Sequence, residues 1–483
     1  MVILMDPKKE EDFNFVLQKI KEHLPLLIKF LDNNKSLIEY SKALYDFKLS
    51  KVHLERQKPL IKIINKKIKE LFTIKQIKEM NLNLEKGIIS NIVDHHNILN
   101  HPILISSHII SNMCRFMNKD KQGIFVLTCG GVPFNNGFHK RGLTFNNKIF
   151  PIIRSKEGDR IIHFSQKREL NFLDSAEKNN LISDFSDEEK KFIQEYQKII
   201  SGINIDKAKD FVDEITLINY RLFPLMFNEE IREDIPALVF FECEYLATEM
   251  LKELFQDENN FIFKIFFNEK YRNLVISTFN GIWGAWNTQR NLGTHFFWYM
   301  QENGEEVSME YKEGYLVPKK EGLDSIKWDK NIILNLLKEK RIYPNIFLFY
   351  AIILFYCGIK PLTGLGSMNY LTDMKNAWIK VMTELEPKES ELIKEVDTMG
   401  LIAAPIATYS RKNEKIIEQY FADVVFRGGL TKEYLNNLGK MKFKDLLKTS
   451  LISNYDIKVP ANEKKPLSLT VDDLVGQGFG WIK

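Results

Sequence analysis

Two short apolar runs, each closed by a polar or glycine-rich turn and separated by one helical stretch, constrain this 483-residue chain more than any other feature. Ile88-Ile89-Ser90-Asn91-Ile92-Val93 stops at Asp94-His95-His96, and a helical pattern starts after Pro102 and runs to about Met117. Gly123-Ile124-Phe125-Val126-Leu127-Thr128-Cys129 then ends in Gly130-Gly131-Val132-Pro133. Continuous apolar runs of this length suit strands buried on both faces, and proline suits the first turn of a helix. Strand, polar turn, helix, strand and glycine turn over about 45 residues is the layout of a right-handed parallel βαβ unit. Ligands of such units sit beyond the carboxyl ends of the strands. Both polar clusters are therefore expected on the ligand-binding edge of a helix-rich α/β protein with a Rossmann-like core.

The flanks supply the rest of the architecture. Phe13, Val16, Leu17, Ile20, Leu24, Leu27, Ile28 and Leu31 share one face at 3.6 residues per turn, so a helix is expected through Leu31. Two further helical patterns complete an N-terminal unit over residues 1–85, ahead of the βαβ core at 86–167. Residues 168–290 read as helix, and the charged run at Ser186–Lys191 reads as a helix start with a solvated face. From 291 to 483 the chain reads as an antiparallel meander, punctuated by Asn303-Gly304 and Glu313-Gly314, then helices and a loop-like tail after Pro460. No repeat with a period of 20 to 50 residues is present. The longest apolar run, Ile346 to Ile359, is shorter than the roughly 18 to 20 residues a membrane-crossing helix needs, so a core helix and no stable membrane insertion are expected.

Charge narrows the function class. With 68 basic and 64 acidic residues the net charge is +4, which provides no broad field for nucleic acid. No nucleic-acid partner is expected, and any anion site must be local. Cys114, Cys129, Cys243 and Cys357 form no CxxC or zinc-ribbon spacing, and the apolar start Met1–Met5 is too short for a signal peptide. A reducing, cytoplasmic setting is expected. No oligomeric state is read from the sequence.

Histidine is scarce, nine residues in all, yet His95, His96, His101, His108, His139 and His163 fall within one window that contains the βαβ unit. Imidazole titrates near neutrality, so such a group suits proton transfer, metal ligation or stabilisation of a developing anion. In an extended chain Asp94 and His96 project to one side and His95 to the other, which makes Asp94 and His96 the candidate ligands of a divalent metal. The triplet resembles the Asp-His-His element of the manganese-dependent phosphoesterases, which also follows a buried strand. That family's earlier Asp-x-Asp strand end is missing here, as is its later glycine-rich histidine element, so the resemblance stops at the triplet. His101 and His108 are two helical turns apart, about 10.5 Å along the axis, and cannot share an ion. His108 reads as a packed or capping side chain.

The second cluster, Cys129 to Gly142, has four glycines that let backbone amides approach a ligand, and Asn135, Asn136, His139, Lys140 and Arg141 offer donors. It is neither a P-loop nor a GxGxxG turn. It reads as an anion cradle, with Gly130 and Gly131 nearest the strand end, or as a plain glycine-rich connection. Cys129 is a candidate nucleophile beside a histidine base, against the commoner buried thiol. Arg290 and His295 lie in a polar stretch ahead of the meander and would join the cluster if the meander packs on the strand edge. Pro361-Leu362-Thr363-Gly364-Leu365-Gly366-Ser367 reads as an interhelical turn with a serine cap, or as an anion site at a helix start. Glu242, Glu244 and Glu249 lack the spacing of a di-metal carboxylate bundle.

These readings combine into a cytoplasmic enzyme, a transferase or hydrolase, acting on an anionic small metabolite. His95, His96 and His139 are its catalytic group, and Gly130, Gly131, Asn135, Asn136, Lys140, Arg141, Arg290 and His295 its substrate contacts. Asp94 and His96 hold any divalent metal. The rivals are a ligase on a Rossmann-like core and a non-catalytic helical scaffold.

Overall fold

The computed structural model describes residues 6–412 and 415–474. It is a helix-rich mixed α/β protein built on a five-stranded, all-parallel sheet. In chain order its strands are β1 (Ile89–His95), β2 (Ile124–Cys129) and β3 (Leu238–Glu242). Next come the meander strands β4 (Phe297–Met300), β5 (Glu306–Lys312), β6 (Tyr315–Pro318), β7 (Ile326–Lys327) and β8 (Ile342–Pro344). The last two, β9 (Lys360–Gly364) and β10 (Gly400–Ala403), return to the parallel sheet. Its order is β10-β9-β1-β2-β3, and the antiparallel sheet runs β7-β6-β5-β4-β8.

The two-residue alternation of the central strands divides the interior into two cores. Val126, Leu238 and Phe240 join one cluster with helices Pro102–Asn118 and Phe211–Leu222, whereas Phe125, Leu127, Val239 and Phe241 join the other with helices Lys51–Leu71 and Cys243–Leu254. Each such buried side chain contributes about 1.5–3 kcal/mol relative to exposure. The parallel strands come from three of the four sequence segments, and the first core gathers residues from Val16 to Val459.

The first strand, its helix and the second strand stand where the sequence places them. His101 caps the helix by accepting Ile103 N–H on Nδ1 at 3.2 Å, and Pro102 occupies the first turn. Three expectations change. The N-terminal stripe is not one helix: Pro7–His23 ends at Leu24, and a tight turn at Pro25–Leu27 leads into Ile28–Leu31. Pro25 lacks the amide the helix needs and disfavours helical backbone at Leu24. The region read as helix at 168–290 contains β3, whose five residues are all buried. Pro361–Gly364 is not an interhelical turn but the body of β9, followed directly by helix Leu365–Leu385. Pro361 is tolerated there because pairing with β10 begins one residue later, at Leu362 opposite Gly400.

The run Ile346–Ile359 forms a buried helix, Ile346–Tyr350, that widens over Ala351–Tyr356 before entering β9. Among the described residues no helix is long and apolar enough to cross a membrane. Part of the tail after Pro460 packs back on the first helix, where Ser468 N–H and Oγ both donate to Asp12 at 2.6 Å.

Candidate active site

The carboxyl ends of β2 and β3 bring two buried carboxylates against the glycine turn. Glu242 closes β3, and Glu244 stands in the first turn of helix Cys243–Leu254. Gly130 N–H donates to Glu244 Oε2 at 3.0 Å and Gly131 N–H to Oε1 at 2.7 Å, while the Cys129 thiol lies 3.3 Å from Oε1. The anion on these two amides is thus one of the chain's own carboxyl groups. A Cβ on Gly130 would lie 1.8 Å from Glu242 Oε1, and one on Gly131 would lie 2.8 Å from Glu244 Oε1 and 2.9 Å from the Tyr343 ring. The glycines are there because the carboxylates pack on them.

His163 Nδ1 lies 2.8 Å from Glu242 Oε1, and its backbone N–H donates to the Gly130 carbonyl at 2.9 Å. Burial works to raise Glu242, but His163 beside it outweighs this and holds the carboxyl below the usual carboxylate range. Glu244 goes the other way: burial, then the Glu242 carboxylate, push it up. Burial and Glu244 also push the Cys129 thiol well above its ordinary value. A protonated thiol is a weak donor rather than an activated nucleophile, so the nucleophile reading of Cys129 loses its support.

A cavity of about 360 Å³ opens over Cys129, Gly131 and Glu244. Its opposite wall is the segment ahead of the meander, with Trp286, Arg290 and Thr294, and its side is Tyr343 and Asn345. Packing of the meander over the strand edge thus brings Arg290 to the same space as Gly131. Asn345 is committed to structure: Nδ2 donates to the Thr294 carbonyl at 2.7 Å and Oδ1 accepts Leu348 N–H at 2.9 Å. Trp283, 66% exposed at the mouth, rests on Tyr370 with ring centroids 4.4 Å apart. His295 stands behind the wall, its ring 4.8 Å from Trp286 and its Nδ1 accepting Tyr311 N–H at 3.0 Å. Burial lowers it to about 4, so it is neutral at pH 7.

The remaining candidates gather at the end of β1. His95 and His139 have ring centroids 6.2 Å apart, His95 Nδ1 lies 3.0 Å from Asn136 Oδ1, and Phe138 packs edge-on against both His95 and His101. The two imidazole-bearing turns do converge on one rim of the sheet. Burial lowers His95 and His139, and lowers His101 to about 4, which leaves the rings neutral. Asn135 and Lys140 are exposed, and Lys140 and Arg141 both adopt left-handed backbone, with φ 40° and 68°.

Asp94 and His96 do not meet at an ion. The alternation that would put them on one side stops at His95, where Asn97 N–H turns back to the His95 carbonyl at 2.7 Å. Asp94 Oδ1 instead faces His108 Nε2 at 3.4 Å, and buried His96 has Nδ1 2.6 Å from Thr128 Oγ1 and Nε2 2.8 Å from the Val212 carbonyl. Both ring nitrogens are engaged with protein. Among the described residues the cluster with metal-ligating spacing is Glu22, His23 and Glu463, far along the chain from this edge.

Glu242, Glu244, Tyr343 and the exposed Trp283 were not among the sequence candidates. A signal was present: Leu238 to Phe241 is an apolar run closed by a carboxylate, the same pattern that marked Asp94 at the end of β1. No protein-family model matches the chain, and no curated protein matches it either.

Proposed function

We propose that the chain is a cytoplasmic enzyme that performs group transfer or hydrolysis on a small anionic metabolite in the cavity over Cys129 and Glu244. One observation carries the reading: a buried carboxyl group, held by two backbone amides, faces an open cavity at the carboxyl edge of a parallel sheet. The strand order supports a Rossmann-like, doubly wound reading, with β1 central, β2 and β3 added on one side and β9 and β10 on the other. The four cysteines are free, which supports a reducing compartment.

Glu244 is the general acid or base. Its raised proton affinity lets it give and take a proton near neutral pH, and the Gly130 and Gly131 amides fix its orientation. Glu242, paired with His163, stays ionised and keeps its neighbour protonated more of the time. Arg290 at the mouth offers a guanidinium to a phosphate or carboxylate, and Trp283 and Trp286 offer aromatic wall to the rest of the substrate.

A thermal-shift screen of sugar phosphates, nucleotides and metal ions, followed by turnover assays on the hits, tests the reading. Glu244→Gln removes the proton and keeps an acceptor for one glycine amide while setting its NH2 against the other, so turnover should fall by about 10²-fold or more and stability by about 1–3 kcal/mol. Full turnover in that variant would overturn the assignment.

A further inference from the structure

A second cavity, of about 630 Å³, lies behind the Tyr343 wall. Ile161, Met300 and Tyr343 form a small buried cluster with Phe164 and Trp298. Trp298 and Tyr343 face the first cavity, whereas Ile161, Met300 and Phe164 face the second. The second cavity is a groove between residues 152–169, the β4–β5 turn and the residues leading into β8.

Its lining departs from the composition of the chain. Only 13 arginines occur in 483 residues, and four of them, Arg154, Arg160, Arg168 and Arg341, line this groove together with Lys167 and Lys340. Three carboxylates, Glu157, Glu169 and Glu302, stand against these six cations. Glu157 is shared by two guanidiniums, Arg160 at 3.2 Å and Arg168 at 3.5 Å. Lys340 is held by Asp210 at 2.9 Å, and among the described residues Arg154 has no ion-pair partner. Among the described residues the buried Nε groups of Arg168 and Arg341 have no hydrogen-bond partner.

The cations are also held in place. The Arg168 guanidinium lies 5.3 Å over the Phe134 ring and 5.8 Å over Phe211, and that of Arg341 lies 5.5 Å over Tyr299. The Arg160 side chain runs across Gly304 of the β4–β5 turn, 3.6 Å from where a Cβ would stand. Ordered like charges repel unless an anion joins them, and planar guanidinium forks match phosphate oxygens.

We propose that this groove binds a ligand of the polyphosphate class, a compact chain of two or more linked phosphate groups. Against Glu157, Glu169, Glu302 and the Asp210 partner of Lys340 the six cations leave a net charge of about +2. They are spread over a 630 Å³ groove from Arg154 on one wall to Arg341 on the other, a span that linked phosphates follow better than one phosphate. Among the described residues the one aromatic side chain that lines the groove, Phe164, is packed edge-on against His163 and Tyr343, which leaves little platform for successive stacked bases and argues against single-stranded nucleic acid. The site is distinct from the Glu244 cavity and does not rest on the reaction assigned there.

The test is calorimetric titration of the full chain with sodium tripolyphosphate, orthophosphate and a short single-stranded oligonucleotide, with the doubly substituted R154E/R160E variant as comparison. Both substituted residues are exposed, so the variant should fold, which circular dichroism and melting temperature check. Tripolyphosphate is expected to bind about tenfold or more tightly than orthophosphate, to weaken with added salt, and to lose about tenfold or more in affinity in the double variant. In Glu244→Gln its affinity should be unchanged. Equal affinity for orthophosphate, tighter binding of the oligonucleotide, unchanged binding in R154E/R160E, or lost binding in Glu244→Gln would each overturn the proposal.

Discussion

The end of β1 and the ends of β2 and β3 lie on one edge of one sheet, yet they treat polar side chains in opposite ways. At β1 the imidazoles of His95, His101 and His139 are packed against rings and kept neutral by burial. At β2 and β3 two carboxyl groups are taken from water, but each is met by specific donors, His163 for Glu242 and two glycine amides for Glu244. Clustering of a titratable residue type in sequence therefore marks where polar groups are buried, whereas the direction of the chemistry depends on which of them face open space. Glu244 lines a cavity and retains a group to protonate; His96, with both nitrogens engaged, does not.

The largest expected effect breaks the carboxylate side. Removing the imidazole in His163→Ala leaves Glu242 buried without its partner, and loss of one member of a buried pair costs about 3–5 kcal/mol. His95→Ala removes one hydrogen bond, to Asn136, from a half-buried ring and should cost nearer 1 kcal/mol. Urea unfolding at pH 7 measures both. Equal costs would mean that the two ends of the sheet edge are built alike.

Next in size is Gly131→Ala. Its Cβ would press on Glu244 Oε1 and the Tyr343 ring at under 3 Å, and overpacking of this kind costs about 1–3 kcal/mol. The same methyl enters the cavity wall, so ligands found for the parent should bind more weakly, a coupling that the equally conservative change at an open turn, Gly137→Ala, should lack. Unfolding midpoints and ligand titrations on both variants read this out.

A smaller, pH-dependent effect sharpens the contrast. Glu244 binds its proton more tightly folded than unfolded, so between the ordinary carboxylate range and its raised value the folded state holds more protons, and stability falls as pH rises. Desolvation lowers the imidazoles of the β1 end, so their contribution is complete above about 6.5 and is lost as pH falls towards their folded values. In Glu244→Gln the decline with rising pH should flatten while the acid limb stays. Denaturation midpoints between pH 4.5 and 8 decide it, and an unchanged neutral limb would assign the decline to another group.

The contrast also explains what was legible. β1, the helix after Pro102, β2 and the meander could be read because each carries turn residues or helical periodicity at its ends. β3, β9 and β10 could not: Leu238–Glu242 and Gly400–Ala403 are short apolar runs that periodicity does not separate from a buried helix, and Pro361 argues against a central strand until the late start of its β10 neighbour is known. Of the site, Gly131 and Arg290 were visible as donors. Glu244 was hidden because, with β3 unrecognised, it read as one of several glutamates on a helix. The groove beside it was equally hidden, since Arg154 to Arg168 and Arg341 are separated by more than 170 residues and meet only through the meander.

The smallest effect isolates one imidazole. His101 accepts Ile103 N–H on Nδ1, which requires the neutral ring, and burial holds it at about 4. His101→Ala should lose about 1 kcal/mol by removing the cap, whereas His101→Asn keeps an acceptor at the same place and should lose little at pH 7.5. Below 6.5 the unfolded parent chain takes up a proton at His101 that the folded protein refuses, so the parent loses stability that the Asn variant keeps. The His101→Asn chain should therefore gain on the parent as pH falls from 6.5 towards 4, and parallel curves for the two would place the acid sensitivity of the β1 end on His95 and His139 instead.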